Sequence, residues 1–429
     1  MSAITKSARR LSIETLENKE LLAGNVTAAV SGNSLDIFGD ALDNEIRVEE
    51  VSSSNFLVTG VNNTTVNGSP QLLFSLPFPD PELHVDLKHG NDVLRIKNIS
   101  ALAKITADTG DGLDKIQLDS VQLKPANSLI DIRTGNQGDV LSSKNSSAEI
   151  FFAQMGNGND KTFLKETYAD TLEVQSLAGD DRISIGFFNP RDLIVRSGAG
   201  DDMVRLYAIQ GGHSDVLTGD GDDKVNAHGF VGGNLSVKTE DGNDRVDIRS
   251  GLYQSVVIQT GDHNDTVAVK PGSFPWAWGN ATIGDLVIQT QANSDRVILD
   301  SVDVHRSQIN TGSHDDKVKI SGSIFHVGLD LLLADGNNWL KTTCTRYGNL
   351  TAWGGNGKDR VFMDKIHVDN YLEIGLADGK DYFSVNHSFS GLPPVFDGGN
   401  HFDRFVVSGN TNSWTAPAQS YSSNYEFFI

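Results

Sequence analysis

Apolar and polar residues alternate in short runs along most of the chain, and these runs recur at a nearly constant spacing. Each unit contains a turn that matches the motif Gly-x-Gly-x-Asp in full, as in residues 219–223, or in part, and we call its last residue the marker. Between Asp139 and Asp265 the marker recurs every 21 residues, and the longest step, from Asp265 to Asp295, is 30 residues. A fixed period of this length is typical of solenoid proteins. The markers are Asp92, Asp114, Asp139, Asp160, Asp181, Asp202, Asp223, Asp244, Asp265, Asp295, Asp316, Asn338, Asp359, Asp381 and Asp403.

Within each unit the alternation predicts two short strands, because every second residue of a strand faces the same side. Apolar residues stand nine and seven positions before the marker, as in Leu193 and Val195, and two and four positions after it, as in Ile183 and Ile185. No helical period separates the strands, so each strand is expected to pair in parallel with its equivalent one unit later. The sequence therefore predicts an all-β protein, a right-handed parallel β-helix of about 15 coils of about 21 residues. A third, shorter segment is expected 6 to 11 positions after the marker.

The extent of the repeat divides the chain into four predicted segments. Residues 1–25 are interpreted as an export or sorting leader, although they lack the apolar run of a secretory signal. Residues 26–91 are expected to form an N-terminal cap with degenerate first coils, one of them around Asn44. The β-helix is predicted over residues 92–407 and a C-terminal cap over 408–429.

The composition narrows the range of partners. Asp and Glu outnumber Lys and Arg by 56 to 35, and the net charge is -21. A polyanion of this kind is not expected to bind nucleic acid or anionic membranes, so cations are the predicted partners. Cys344 is the one cysteine, which excludes an intramolecular disulfide. No apolar run is long enough for a membrane-spanning helix, so no transmembrane segment is expected.

The marker Asp supports two interpretations. In the first it is structural: its side chain points inward and accepts hydrogen bonds from the amides of its own turn, while the glycines adopt backbone angles that other residues resist. In the second it binds Ca²⁺, because the turns hold 24 acids against 9 following bases and stack within a Debye length of one another. The densest candidate calcium ligands are Asp180, Asp181, Asp201, Asp202, Asp220, Asp222, Asp223, Asp241 and Asp244.

Two further groups of residues are weaker candidates. Trp276 and Trp278 lie in the insertion between two coils, where they could stack on sugar rings or pack over the side of the solenoid. His263, His314 and His401 replace the second glycine of the turn. They could ligate a metal beside the carboxylates, or they could be polar residues tolerated in a loosened turn.

Acids and bases are spread evenly over the coils, and no coil concentrates the residues of a catalytic site. No nucleophile elbow, phosphate-binding loop or zinc-ligand spacing occurs in the sequence. The leading hypothesis is therefore a non-catalytic surface solenoid with a structural or adhesive role. The alternative is a carbohydrate-active β-helix that binds or cleaves an acidic polysaccharide, and the partners would then include polysaccharide or other cell-envelope components.

Two resemblances add to this interpretation. The Gly-x-Gly-x-Asp turns resemble the calcium-binding repeats of repeats-in-toxin proteins, although those recur every nine residues and these once per 21. The N-terminal segments Leu16-Glu17-Asn18-Lys19 and Leu21-Leu22-Ala23 resemble the leader of many secreted and surface proteins of planctomycete bacteria. The second resemblance implies export, so a secreted or cell-surface location is expected.

Overall fold

The structure is a computed structural model that describes residues 24–124, 127–272, 279–401, 403–409 and 425–428. Strands are the only regular elements in these residues, and no helix occurs among them. The strands are β1 (Asn25–Ser31), β2 (Ser34–Phe38), β3 (Glu45–Ser52), β4 (Asn55–Gly60), β5 (Thr65–Val66), β6 (Gln71–Ser75), β7 (Glu82–Asp86), β8 (Val93–Ile99), β9 (Lys104–Asp108), β10 (Lys115–Val121), β11 (Leu129–Arg133), β12 (Val140–Ser147), β13 (Ile150–Gln154), β14 (Lys161–Tyr168), β15 (Thr171–Gln175), β16 (Arg182–Phe188), β17 (Asp192–Arg196), β18 (Met203–Ile209), β19 (His213–Leu217), β20 (Lys224–Lys238), β21 (Arg245–Gln259), β22 (Thr266–Lys270), β23 (Ala281–Gln289), β24 (Arg296–Asp300), β25 (Asp303–Asn310), β26 (Lys317–Ser321), β27 (Ile324–Ala334), β28 (Trp339–Thr343), β29 (Arg346–Gly354), β30 (Arg360–Asp364), β31 (His367–Gly375), β32 (Tyr382–Asn386), β33 (Phe389–Ser390), β34 (Val395–Asp397), β35 (Asp403–Ser408) and β36 (Tyr425–Phe428).

The strand that follows each marker pairs in parallel with the equivalent strand one coil later. These strands form a continuous sheet that we call the marker sheet, made of β3, β8, β10, β12, β14, β16, β18, β20, β21, β22, β24, β26, β28, β30, β32 and β35. The register follows the sequence period, since Lys161 pairs with Arg182 and Arg182 with Met203. The predicted parallel β-solenoid of about 15 coils is thus confirmed.

The strand that precedes each marker forms a second parallel sheet, as in the pairing of β15 with β17 and of β17 with β19. A third, narrow ladder joins the short segments after the marker sheet in the C-terminal half, where Tyr253 pairs with Ile283 and Ile283 with Val304. This ladder is the predicted third segment. Each coil therefore turns from one sheet to the next around a closed interior.

Apolar side chains fill that interior as columns. Ile183, Val204, Val225 and Val246 occupy the same place in successive coils, and none is more than 1% exposed. Because adjacent strands lie about 4.8 Å apart, each such side chain contacts its equivalents above and below. Burial of these columns supplies the main stabilisation of a chain that has no disulfide.

At the N-terminal end the stack begins before Asp92. Strand β3 pairs in parallel with β8, and Asn44 occupies the place of the marker before β3. Strand β3 also pairs antiparallel with β4, and β4 with β6. This antiparallel excursion explains physically why the residues between Asn44 and Asp92 fit the 21-residue period poorly.

The second glycine of the turn, where it is present, lies against the turn below. A Cβ atom on Gly200, whose φ is 133°, would lie 2.2 Å from the carbonyl oxygen of Gly179. Two of the three histidines at this place keep the left-handed backbone, since φ is 90° at His263 and 95° at His314. A strained left-handed residue is therefore tolerated at these coils, and the turn is preserved when the glycine is lost.

Candidate functional site

The marker side chains form a buried column that we call the marker column. The backbone amide of each marker donates to Oδ1 of the marker one coil later, as from Asp202 to Asp223 at 2.9 Å and from Asp223 to Asp244 at 2.8 Å. The structural role expected of the marker is present, but its bond differs from the expected one. The carboxylate accepts from the neighbouring coil and not from its own turn, so the column connects coil to coil.

The second carboxylate oxygen, Oδ2, is buried without a hydrogen-bond partner at every marker Asp in the described residues. An unpartnered charged oxygen in the interior is costly, so burial favours the protonated acid. Desolvation raises the pKa of Asp223 to about 8 and that of Asp202 to about 6. The hydroxyl of Thr218 opposes the shift at Asp223, although the two side chains do not complete a well-aligned hydrogen bond.

The residues one place before the marker form an exposed row that we call the outer row. Its hydrogen bonds run along the rod in the direction opposite to those of the marker column. From Asp180 to Asn264, the backbone amide of each residue in the row donates to Oδ1 of the equivalent residue one coil earlier. The bonds from Asp201 to Asp180 and from Asp222 to Asp201 measure 3.1 and 2.9 Å. Two hydrogen bonds from Asn243 lower the pKa of Asp222, so this carboxylate is ionised at neutral pH.

The nine predicted calcium ligands therefore fall into two environments. Asp181, Asp202, Asp223 and Asp244 belong to the marker column. The remaining five, Asp180, Asp201, Asp220, Asp222 and Asp241, are exposed at the turn edge. No group of three or more metal-ligating side chains converges on one point in the residues that the structure describes. The exposed carboxylates instead form a ladder with the spacing of the coils.

The outward face of the marker sheet carries a concentration of basic residues. Eighteen of the 35 Lys and Arg residues of the chain stand one, three or five places after a marker, on the face turned away from the core, whereas four Asp residues share these places from β8 onward. The basic residues are Arg95, Lys97, Lys115, Lys144, Lys161, Lys165, Arg182, Arg205, Lys224, Arg245, Arg249, Lys270, Arg296, Lys317, Lys319, Lys341, Arg360 and Arg404. The charge of the molecule is thus segregated, with a basic sheet beside an acidic turn edge.

Part of this face, over β24, β26, β28 and β30, forms an open groove of about 530 Å³ that we call the basic groove. Its lining includes five basic side chains, one carboxylate and one indole. The residues are Arg296, Lys317, Lys319, Lys358, Arg360, Asp315 and Trp339, together with Asn337 and the buried Asn338. In the described part of the chain, no ion pair within 4.0 Å involves any of the five bases.

Aromatic rings continue the basic groove toward the C-terminal end. The ring centroids of Trp339 and Phe362 are 6.2 Å apart, and those of Phe362 and Tyr382 are 5.4 Å apart. The guanidinium of Arg404 lies 5.7 Å from the Tyr382 ring centroid. Because these rings stand on the outward face of the sheet, they present half-buried aromatic surface beside the cations.

The basic face is a functional feature that was not predicted from the sequence, although the sequence contains its signal. The bases directly after the markers are only part of it, and the rest stand three and five residues after the marker. The alternation of a strand puts all three places on one face. Lys319 is in register with Lys341 on the neighbouring strand. Trp339 is likewise in register with Lys317 on one side and with Arg360 on the other.

The remaining predicted sites lie elsewhere. Residues 1–23 of the predicted leader, Trp276 and Trp278, and most of the predicted C-terminal cap are outside the described residues. Nothing in the part of the chain described here combines the length and apolar character of a helix that crosses a membrane. Comparison with family models, with curated proteins and with solved structures gave no match for this chain. The function is therefore inferred from the residues alone.

Proposed function

We propose that this protein is a non-catalytic, exported β-solenoid that acts as a structural or adhesive element at the cell surface. The observation that carries the proposal is the uninterrupted marker column: amide-to-carboxyl bonds of the same form join successive coils from Asp92 to Asp403, with Asn338 in one place. A catalytic site is a local departure from such a repeat, and sites of this kind usually break a rule of the fold. The leader resemblance supports export.

We further propose that Ca²⁺ binds along the outer row. Its carboxylates are exposed, and neighbouring coils bring them within the Debye length of about 8 Å at physiological salt, so they repel one another unless cations collect there. Hard oxygen ligands of this type suit Ca²⁺. A bound ion would join adjacent coils through the free oxygens of Asp180, Asp201 and Asp222, and would stabilise the native rod by binding it preferentially.

A carbohydrate-active role is the second candidate, and the basic face of the marker sheet favours it. Acidic polysaccharides are linear polyanions, and a row of cations along a rod matches their charge. If the protein is a lyase, incubation with polyuronates yields unsaturated products. A polyuronate panel that gives no such product while the chain is folded would leave the non-catalytic proposal standing.

The surface location has a direct test. The full chain is expressed in a planctomycete host, and intact cells are treated with a protease that does not enter them. Loss of the protein under conditions that spare a cytoplasmic control protein is the expected result. A variant that lacks residues 1–25 should be retained inside and protected. Full protection of the complete chain would contradict the proposed location.

A further inference from the structure

The five cations of the basic groove lie close together, and none of them forms an ion pair within 4.0 Å in the described part of the chain. Arg296 and Lys317 are in register on adjacent strands, and Lys319 is in register with Lys341, which lies on the same face beside the groove. Like charges directly opposite on neighbouring strands destabilise a sheet. Bases on the second sheet are placed differently: Arg306 lies 3.0 Å from Asp285, and Lys238 lies 2.8 Å from Glu240. The groove thus holds five cations around one carboxylate, that of Asp315, whereas several bases elsewhere have a carboxylate partner of their own.

The groove also offers flat apolar surface and hydrogen-bonding groups. Trp339 stands between Lys317 and Arg360 in the same row. The backbone amide and the side-chain Nδ2 of Asn337 donate to Oδ1 of Asp315 at 2.7 and 3.0 Å. These bonds lower the pKa of Asp315, so a carboxylate persists among the cations. The site combines positive charge, an aromatic face and a fixed acceptor.

We propose that the basic groove binds a segment of an acidic polysaccharide, with uronic acid residues as the recognised units. The bases would bind the sugar carboxylates, Trp339 would stack on the apolar face of a sugar ring, and Asp315 would accept hydrogen bonds from ring hydroxyls. This inference rests on the proposed adhesive role, for which it names a ligand class. Lysines and arginines of the same face extend along the rod and would follow a longer chain.

The carboxylate in the groove favours a glycan over a nucleic acid. A nucleic acid presents phosphates along its whole backbone, and Asp315 would repel them, whereas a polyuronate alternates carboxylates with hydroxyl groups that donate to an acceptor. The net charge of -21 repels either polymer at a distance, so binding depends on what the groove contacts directly.

The test uses the full chain in calorimetric titrations at low salt with three probes: an oligogalacturonate, a neutral dextran oligomer of equal length, and a single-stranded oligothymidylate of equal charge. The oligogalacturonate is expected to bind at least tenfold more tightly than either of the others. Tighter binding of the oligothymidylate would overturn the assignment in favour of a nucleic-acid surface. No binding of the oligogalacturonate would overturn it outright.

Matched variants locate the site. Lys317→Ala with Arg360→Ala removes two cations from the groove, and Lys115→Ala with Lys224→Ala removes two from the same row of the marker sheet outside it. The groove variant is expected to lose about tenfold in affinity and the control less than twofold. Trp339→Ala should also weaken binding by about tenfold with the charge unchanged. Equal losses in the two double variants would overturn a localised site.

These results separate the two proposals. Failure of binding in every assay leaves the surface role in place as a structural one. Release of unsaturated products from the oligogalacturonate, which absorb in the ultraviolet, would contradict the non-catalytic role while it supports the ligand class. Circular dichroism of each variant confirms that the solenoid is intact before its affinity is interpreted.

Discussion

The marker column and the outer row place the same side chain in neighbouring positions of the same turn with opposite consequences. Oδ1 of Asp223 and Oδ1 of Asp222 each accept a hydrogen bond from a backbone amide of an adjacent coil, at 2.9 and 2.8 Å. Asp223 is 1% exposed and burial raises its pKa to about 8, whereas Asp222 is exposed and its pKa is lowered by its hydrogen bonds. A step of one residue along the turn exchanges core for solvent, and this alone separates the two roles.

The difference shows how a repeat can divide two tasks. The buried carboxyls hold the coils in register at a cost in desolvation, and the exposed carboxylates keep their charge and remain open to cations. The two sets of bonds also run in opposite directions along the rod, since the column donates forward and the outer row donates backward. Each coil is thus joined to the next coil by both rows.

The largest expected effect is a fall in stability with rising pH. Burial raises the pKa of thirteen markers to values between about 6 and about 8. The native state therefore holds more protons than the unfolded chain above about pH 4, where an unfolded Asp ionises, so the stabilisation is lost as the pH rises through the native values. The melting temperature should fall steadily from pH 5 to pH 8.5.

A control isolates the column. Replacing Asp181, Asp202 and Asp223 together by Asn removes three of the thirteen markers and should reduce the slope of this dependence, and the same change at Asp180, Asp201 and Asp222 should leave the slope as it is. A melting temperature that stays constant or rises between pH 5 and pH 8.5 would show that the markers are ionised in the native state.

Removal of a single acceptor gives the next largest effect. Asp223→Ala leaves the buried amide of Asp202 without a partner and should cost about 1–3 kcal/mol. Asp222→Ala exposes the amide of Asn243 to water and should cost about 0.5 kcal/mol. Denaturant unfolding at pH 6 measures both. Equal losses would mean that depth within the turn does not determine the contribution of the bond.

The sequence predicted the architecture more fully than the chemistry of the turn. The 21-residue period and the alternation around Leu193 and Ile183 determine the parallel stacking, because one pairing alone buries every apolar place. Period and alternation contain no information on the partner of the marker oxygen, which depends on the offset between coils. They do fix which residues face outward, so the basic groove around Lys317 and Trp339 could have been found from the alternation by following all three outward places.

Calcium should produce a smaller effect that depends on the row. If Ca²⁺ binds the outer row, added Ca²⁺ raises the melting temperature by a few degrees at pH 7 and chelation reverses it. The triple change of Asp180, Asp201 and Asp222 to Asn should abolish this response. The matching change in the marker column should preserve it. A response lost only with the column would place the ion in the interior, and an unchanged melt on chelation of the unsubstituted chain would end the calcium proposal.

The smallest effect is expected for Asp223→Asn, and the chain already contains its precedent. Asn338 occupies a marker place, accepts the amide of Asp316 at 2.9 Å through Oδ1 and donates from Nδ2 to the carbonyl oxygen of Ala334 at 3.0 Å. An Asn at position 223 could donate in the same way to the carbonyl of Gly219, so it would satisfy the atom that the carboxyl leaves unpaired. The change should be nearly neutral at pH 5 and stabilising by up to about 1 kcal/mol at pH 8.5, because an amide has no charge to desolvate. Unfolding midpoints at the two pH values measure the difference, and destabilisation at pH 8.5 would show that the charged carboxylate itself holds the coils together.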